Sequence, residues 1–253
     1  MMGELEEDLA GRTALVTGAS RGIGTAIARR LAQAGTNVAV GYGSNREPAE
    51  KLASEFERSG RRAVAVGGDV SDPAQISEMI SVTETALGPV DILVPNAGIA
   101  KRQSFEEIEV EDWDKTMNVN LRAAFLFAQR VAPGMRERGW GRIVFVSSTA
   151  AFTGGIVGPH YTASKAALIG LTHSLAGSLS PHGVTVNAVA PALIGQTGMI
   201  PGSAEEAEER VVGKVPVGRF GRPEEVAEAV LMLAANPFIT AQTLSVDGGL
   251  HPR

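Results

Sequence analysis

Seven short runs of β-branched and small apolar residues recur along the chain, each separated from the next by a longer stretch of helical character. The runs are Thr13–Thr17, Asn37–Val40, Ala63–Val66, Asp91–Val94, Arg142–Val146, Val184–Asn187 and Gln242–Val246. Such runs suit strands covered on both faces. Apolar spacing predicts helices over Gly22–Ala34, Pro48–Ser59, Pro73–Leu87, Val110–Arg138, His160–Ser180 and Pro223–Ala235. Pro48, Pro73 and Pro223 fall where a first helical turn tolerates proline. Strands joined by helical crossovers build a doubly wound parallel sheet with helices on both faces, so the expected class is α/β with seven strands. No repeat, low-complexity tract or linker divides the 253 residues, which read as a single domain, 1–253. One segment resists this pattern. Gly195, Gly198, Pro201 and Gly202 precede a charged helical stretch, Ala204 to Val212, and predict a mobile substrate loop at about 195–215.

Composition removes several functional classes. The net charge is −5 with scattered positive residues, so no basic footprint for nucleic acid exists. There are no cysteines, which excludes disulfides and thiolate chemistry. The four histidines, His160, His173, His182 and His251, show no metal-ligand spacing, and no metal is expected. No apolar run is long enough to span a membrane, and the start, Met1 to Asp8, is acidic rather than signal-like. The expectation is a soluble cytoplasmic protein without a membrane partner.

Two features carry chemistry. The first run is followed by Thr17-Gly18-Ala19-Ser20-Arg21-Gly22-Ile23-Gly24 and then a helix. Glycines let backbone approach a pyrophosphate, and a helix N-terminus offers it free N–H groups and a positive dipole. A tight turn without ligand is the plainer alternative. The second feature is Tyr161 and Lys165, four residues apart and hence on one helix face, shortly after Ser148 at the end of an apolar run. A tyrosine with its ordinary pKa of about 10 is a reluctant acid near neutral pH, and a neighbouring ammonium lowers that barrier. The alternative is a half-buried aromatic beside a solvated lysine.

Together these segments resemble the short-chain dehydrogenase/reductase family, from Gly11 to Gly249. The likeness rests on the glycine stretch, Asp69-Val70, Asn96-Ala97-Gly98, Asn118-Val119-Asn120-Leu121, and Ser148, Tyr161 and Lys165 in the family's order. Val186-Asn187-Ala188-Val189-Ala190-Pro191 and Ser245-Val246-Asp247-Gly248-Gly249 complete it. The resemblance implies a Rossmann-type fold and carbonyl reduction with a nicotinamide cofactor. It assigns Tyr161 as proton donor, Ser148 as hydrogen-bond partner of the carbonyl oxygen, and Lys165 as the group that depresses the tyrosine pKa and meets the nicotinamide ribose. It assigns Asn120 a water that passes protons to Lys165. Asn118 competes for that role, and Asn120 can equally be a buried polar group bonding backbone. Ser147 reads as a neighbour of Ser148, and His160 points from another helix face than Tyr161.

For the cofactor, the second strand ends Val40-Gly41-Tyr42-Gly43-Ser44-Asn45-Arg46, with no acidic residue before Glu47. An acid there would hold a ribose 2′-hydroxyl and repel a 2′-phosphate. Arg21, Ser44, Asn45 and Arg46 can instead donate to phosphate, so NADPH is expected; Arg46 reads alternatively as a solvated loop arginine. Asp69 would accept from the adenine amino group or cap the helix before Pro73, and Val70 would offer its backbone. Asn96, Ala97 and Gly98 would set backbone against the ribose and tie strands together. Pro95 replaces the family's usual asparagine, and Ala192 its usual glycine after Pro191. Pro191 and Ile194 are expected beside the nicotinamide, and Thr197 near the cofactor phosphate.

Within the family the chain is most similar to bacterial 3-oxoacyl-(acyl carrier protein) reductases, through Asn187 to Pro191 and Ile239 to Gly249. That implies reduction of a 3-oxoacyl thioester, with Lys101, Arg102 and Arg122 able to meet an acidic carrier protein. Acetoacetyl-CoA, or small free ketones, aldehydes, sugars or alcohols, remain alternative substrates, and a non-catalytic nucleotide-sensing scaffold is a third possibility. Family analogy also implies a homotetramer, with the helices of Phe125, Phe127 and Ala166–Leu179 paired across one dimer axis and the C-terminal Leu250-His251-Pro252-Arg253 at a second.

Overall fold

The computed structural model describes residues 7–195, 213 and 215–251. Its seven strands form one parallel sheet of order β3-β2-β1-β4-β5-β6-β7. In chain order the elements are β1 (Thr13–Val16), α1 (Gly22–Gln33), β2 (Asn37–Tyr42), α2 (Arg46–Arg58), β3 (Ala63–Gly67), α3 (Pro73–Leu87) and β4 (Ile92–Val94). Then come α4 (Val110–Met117), α5 (Ala123–Glu137), β5 (Gly141–Val146), a single turn α6 (Ala150–Thr153), α7 (Pro159–Leu179), β6 (Val184–Pro191), α8 (Pro223–Ala235) and β7 (Thr243–Val246). The expected doubly wound sheet is present.

Alternation along each strand feeds two cores. Ala14, Val16, Val38, Val40, Ile92, Val94 and Val144 face one side, against Ile27 and Leu31 of α1 and Val226 and Val230 of α8. Leu15, Ala39, Leu93, Ile143 and Phe145 face the other, against Met79, Phe127 and Leu168. Each Val, Leu, Ile, Met or Phe side chain among them, removed fully from water, contributes about 1.5–3 kcal/mol. That is why these runs carry no polar alternation.

Boundaries differ from the sequence reading in five instructive places. The second and sixth strands run on to Tyr42 and Pro191, because their ends keep pairing with Gly67 and Val246. Helix α2 starts at Arg46 rather than Pro48. The single helix expected over Val110–Arg138 is interrupted by a π-helical turn, Asn118–Arg122. Asp91 lies outside β4; it is buried, and its carboxylate accepts the Thr13 N–H at 3.2 Å. The expected substrate loop, with Thr197 in it, falls almost entirely outside the described residues.

Strand order reverses between β1 and β4: β1 leads outward to β2 and β3 on one side, β4 to β5–β7 on the other. The crevice beyond the carboxyl ends of strands at such a switch point is where open α/β sheets bind ligands.

Candidate active site

The loop after β1 and the loop after β4 are stitched together at this switch point. Thr17 Oγ1 accepts the backbone N–H groups of Asn96 and Ala97, both at 3.0 Å. Asn96 Nδ2 donates to the carbonyls of Thr17 (2.9 Å) and Gly18 (3.1 Å). Gly18 has φ +64° and Gly22 φ +55°, left-handed values that favour glycine. A Cβ on Gly24 would overlap the Gly18 carbonyl oxygen and lie 2.6 Å from Asn96 Nδ2. The glycine trio thus serves close packing as well as any ligand. Pro95, though it lacks an N–H, still accepts from Val146 through its carbonyl at 3.3 Å.

A cleft of about 880 Å³ opens above this junction. Gly18, Ser20, Arg21, Gly22, Ile23 and Gly24 line one flank; Tyr42, Ser44 and Asn45 another; Asp69 and Val70 a third; and Asn96, Ala97 and Gly98 its inner end. Arg46 is not among the lining residues. Its guanidinium Nε donates to Glu50 Oε1 at 2.7 Å along α2, an exposed ion pair. Asp69 does not cap α3. Its Oδ1 accepts from the N–H and hydroxyl of Ser71, both at 2.8 Å. Asp72 is the cap, accepting the Ala74 N–H at 2.8 Å; the Gln75 side chain, and after it the Ala74 N–H, hold its carboxyl below the usual range. Gln75 lines the cleft unforeseen, accepting the Asp69 N–H and donating to Asp72. Its place in the first turn of the helix that starts at Pro73 is the signal the sequence offers.

A second cavity, of about 450 Å³, shares Ile23, Asn96 and Gly98 with the cleft. Ser148, Tyr161, Lys165, Pro191 and Ile194 line it. Ser148 follows β5, and its Oγ accepts the Ala150 N–H at 3.2 Å. Tyr161 and Lys165 lie in the first turns of α7, whose start is fixed by Pro159 in its opening turn. Ser147 Oγ donates to the Lys165 carbonyl at 2.7 Å, so Ser147 fastens the helix rather than facing the cavity chemistry.

Electrostatics at the pair depart from expectation. Burial raises the Tyr161 pKa, and a hydrogen bond with Ser148 opposes that rise. Lys165 does not hold the phenol down here. Its Nζ sits 5.8 Å from the tyrosine ring centre and donates to the Val146 carbonyl at 2.8 Å. Desolvation lowers the Lys165 pKa to about 8.

Asn120 is buried in the π turn and lines neither cavity. Its Oδ1 accepts the Ile99 N–H at 2.8 Å, and its Nδ2 donates to the Ile99 carbonyl (3.0 Å) and Ser164 Oγ (3.1 Å). Ser164 Oγ in turn donates to the Tyr161 carbonyl at 2.7 Å. The Asn120 side chain therefore braces the loop after β4 against the helix that bears Tyr161. A Cβ on Gly98 would lie 3.2 Å from Asn120 Oδ1 and 3.6 Å from Lys165 Nζ, which shows how closely the three converge.

Two of the basic residues expected to meet a carrier protein are engaged. Lys101 pairs with Asp112 at 2.7 Å, and Arg122 donates to the Ser71 carbonyl at 2.8 Å. Among the described residues no cluster of three potential ligands could hold a metal ion, and no helix is long and apolar enough to cross a membrane.

The family model described as short chain dehydrogenase matches residues 12–208. Nodulation protein G of Azospirillum brasilense is 42% identical over 242 residues, which cover 95% of this chain and 98% of that protein. A 3-oxoacyl-(acyl-carrier-protein) reductase of Aquifex aeolicus is 39% identical over 249 residues, covering 97% and 100%. Among solved structures, a blue fluorescent protein from a metagenomic library, crystallised in complex with NADPH, matches with a TM-score of 0.89. It is 39% identical and the match covers 96% of this chain and 99% of that one.

Proposed function

The chain belongs to the short-chain dehydrogenase family, and on that premise we propose that it is an NADPH-dependent carbonyl reductase acting on 3-oxoacyl thioesters. The observation that carries this reading is the meeting of Ser148, Tyr161 and Lys165 in a cavity that adjoins a dinucleotide-sized cleft. The cleft suits the cofactor: the first-turn N–H groups of α1 stand at its rim, and glycines let a pyrophosphate come close. Where β2 ends, the lining is Tyr42, Ser44 and Asn45, with Arg21 also in the cleft; that flank carries no carboxylate to repel a 2′-phosphate, the cleft's Asp69 lying on the flank after β3. The structural neighbour crystallised with NADPH supports the same choice.

When bound, NADPH supplies the hydride to the carbonyl carbon. Tyr161 Oη donates its proton to the carbonyl oxygen, and Ser148 Oγ stabilises the alkoxide charge as it develops. Lys165, with its pKa near 8, keeps a positive charge at neutral pH and would meet the nicotinamide ribose, while Ser148 is the group that opposes the rise in the Tyr161 pKa. Asn120 acts as a positioning residue through Ile99 and Ser164.

The thioester half of the reading rests on relatives such as the Aquifex reductase. A carrier-protein partner would rely chiefly on exposed Arg102, because Lys101 and Arg122 are engaged. A homotetramer follows from family analogy, and Phe125, partly exposed on α5, suits such a contact.

NADPH oxidation with acetoacetyl-CoA, against a panel of free ketones, tests the substrate. Tyr161→Phe should bind NADPH and lose turnover by about 10²–10⁴-fold. Turnover of free ketones without thioesters would move the reading to a small-ketone reductase. Unchanged turnover in Tyr161→Phe would end the mechanism.

A further inference from the structure

The far wall of the substrate cavity is built by the segment after β7, and Asp247 holds it there. Asp247 Oδ1 accepts the Gly249 N–H at 2.9 Å, and Oδ2 accepts the His251 N–H at 3.0 Å. Its carbonyl accepts the Leu250 N–H at 3.2 Å. These bonds curl the segment back so that Leu250 and His251 join the lining that Ser148, Tyr161 and Lys165 share. Gly248 and Gly249, at φ +63° and +82°, make that curl possible.

Most of this cavity is apolar, with Ala100, Ile156, Val157 and Leu193 in its walls. Its other polar side chains are largely committed. Ser147 Oγ donates to the Lys165 carbonyl, Thr153 Oγ1 to the Thr149 carbonyl, and Asn96 Nδ2 to Thr17 and Gly18. The His251 backbone is fastened, while no residue among those described hydrogen-bonds its imidazole. A neutral imidazole has one N–H to give and one nitrogen that accepts.

We infer that His251 is a specificity-determining residue: its imidazole donates to a second oxygen on the substrate, beyond the ketone that is reduced. This rests on the carbonyl-reductase reading and narrows the substrate to β-dicarbonyl compounds, esters or thioesters. A substrate with that oxygen gains a hydrogen bond. One without it leaves the N–H facing hydrocarbon, and the difference is about tenfold in kcat/KM.

The test compares methyl acetoacetate, 2-pentanone and acetoacetyl-CoA with NADPH, in the wild type and in His251→Ala, His251→Phe and His251→Gln. NADPH fluorescence titration establishes that each variant is folded. The kcat/KM ratio of methyl acetoacetate to 2-pentanone should fall about tenfold in His251→Ala and His251→Phe, through KM. His251→Gln, which keeps a donor, should recover most of it. An unchanged ratio in His251→Ala overturns the inference, as does recovery by His251→Phe as complete as by His251→Gln, since shape alone would then suffice. If methyl acetoacetate is reduced and acetoacetyl-CoA is not, the thioester reading falls while the His251 ratio still decides. If the wild type reduces none of the three, both readings fall together.

Discussion

The Lys165 ammonium, enclosed by protein, donates to the Val146 carbonyl at 2.8 Å, so a charged group in the lining of the candidate active site is tied to the end of β5. Desolvation brings its pKa from 10.5 to about 8. Between those values the unfolded chain holds a proton that the folded protein has released, so folding stability rises with pH there. Below about pH 8 the burial cost is fully present. Tyr161 acts oppositely: its raised pKa means that stability falls above pH 10. The window to read is therefore pH 8 to 10. Lys165→Met should be more stable than wild type at pH 7.5, with the gap closing by at most about 3 kcal/mol towards pH 10. Urea unfolding of both proteins across that range measures it, and a constant gap would refute it.

Gly24 offers a test of the junction itself. Its added Cβ would meet the Gly18 carbonyl and Asn96 Nδ2, both held by the Thr17 and Asn96 bonds. Neither is the loose end of a flexible chain. Gly24→Ala should therefore destabilise the fold by about 1–3 kcal/mol and weaken NADPH binding in parallel. Thermal unfolding and a fluorescence titration report the two effects. A stable variant that merely loses cofactor would mean the glycine serves the ligand alone.

Cofactor preference separates two arginines that the sequence treats alike. Arg21 lines the cleft, whereas Arg46 is outside it and paired with Glu50. Arg21→Ala should raise the NADPH KM about tenfold or more while leaving the NADH KM nearly unchanged, as expected for a lost charge-assisted phosphate contact. Arg46→Ala should alter the NADPH/NADH ratio less than threefold. A larger loss in Arg46→Ala than in Arg21→Ala would reverse this assignment.

What the sequence made legible follows the range of the interactions involved. Strand runs and helix periods are local, and so are readable; the parallel arrangement follows from them because parallel strands need crossovers, whereas the strand order β3-β2-β1-β4-β5-β6-β7 depends on pairing between distant strands. The glycine loop, Ser148, Tyr161 and Lys165 were readable because their spacing is fixed within an element or a turn. The Arg46–Glu50 pair was in principle legible as an i, i+4 contact, but it competed with a plausible phosphate role. Asn120 bonding Ile99 and Ser164, or His251 reaching the Ser148 cavity, depend on elements far apart in the chain. No periodicity encodes such meetings. The direction of the Tyr161 shift is not legible for the same reason: the Lys165 spacing is local, while the burial that raises the tyrosine pKa is a property of the whole fold.

His160 shows what a local rule can and cannot say. Adjacent to Tyr161, it was expected to point from another helix face, and it lines neither cavity. It is fully buried, yet neither ring nitrogen has a hydrogen-bond partner among the described residues. Gly158 must be glycine beside it: φ is +144°, and a Cβ would lie 2.9 Å from His160 Cε1. A buried imidazole without partners costs about 1–3 kcal/mol relative to a shape-matched apolar group. His160→Leu, similar in volume, should therefore raise stability by about 1 kcal/mol or more, or roughly 2–4 °C in Tm for a chain of this size. Turnover should stay within about twofold of wild type, because the ring meets neither substrate nor cofactor cavity. Thermal unfolding with steady-state kinetics on the same samples decides it. Destabilisation beyond about 1 kcal/mol would show that the imidazole makes hydrogen bonds worth more than its burial costs.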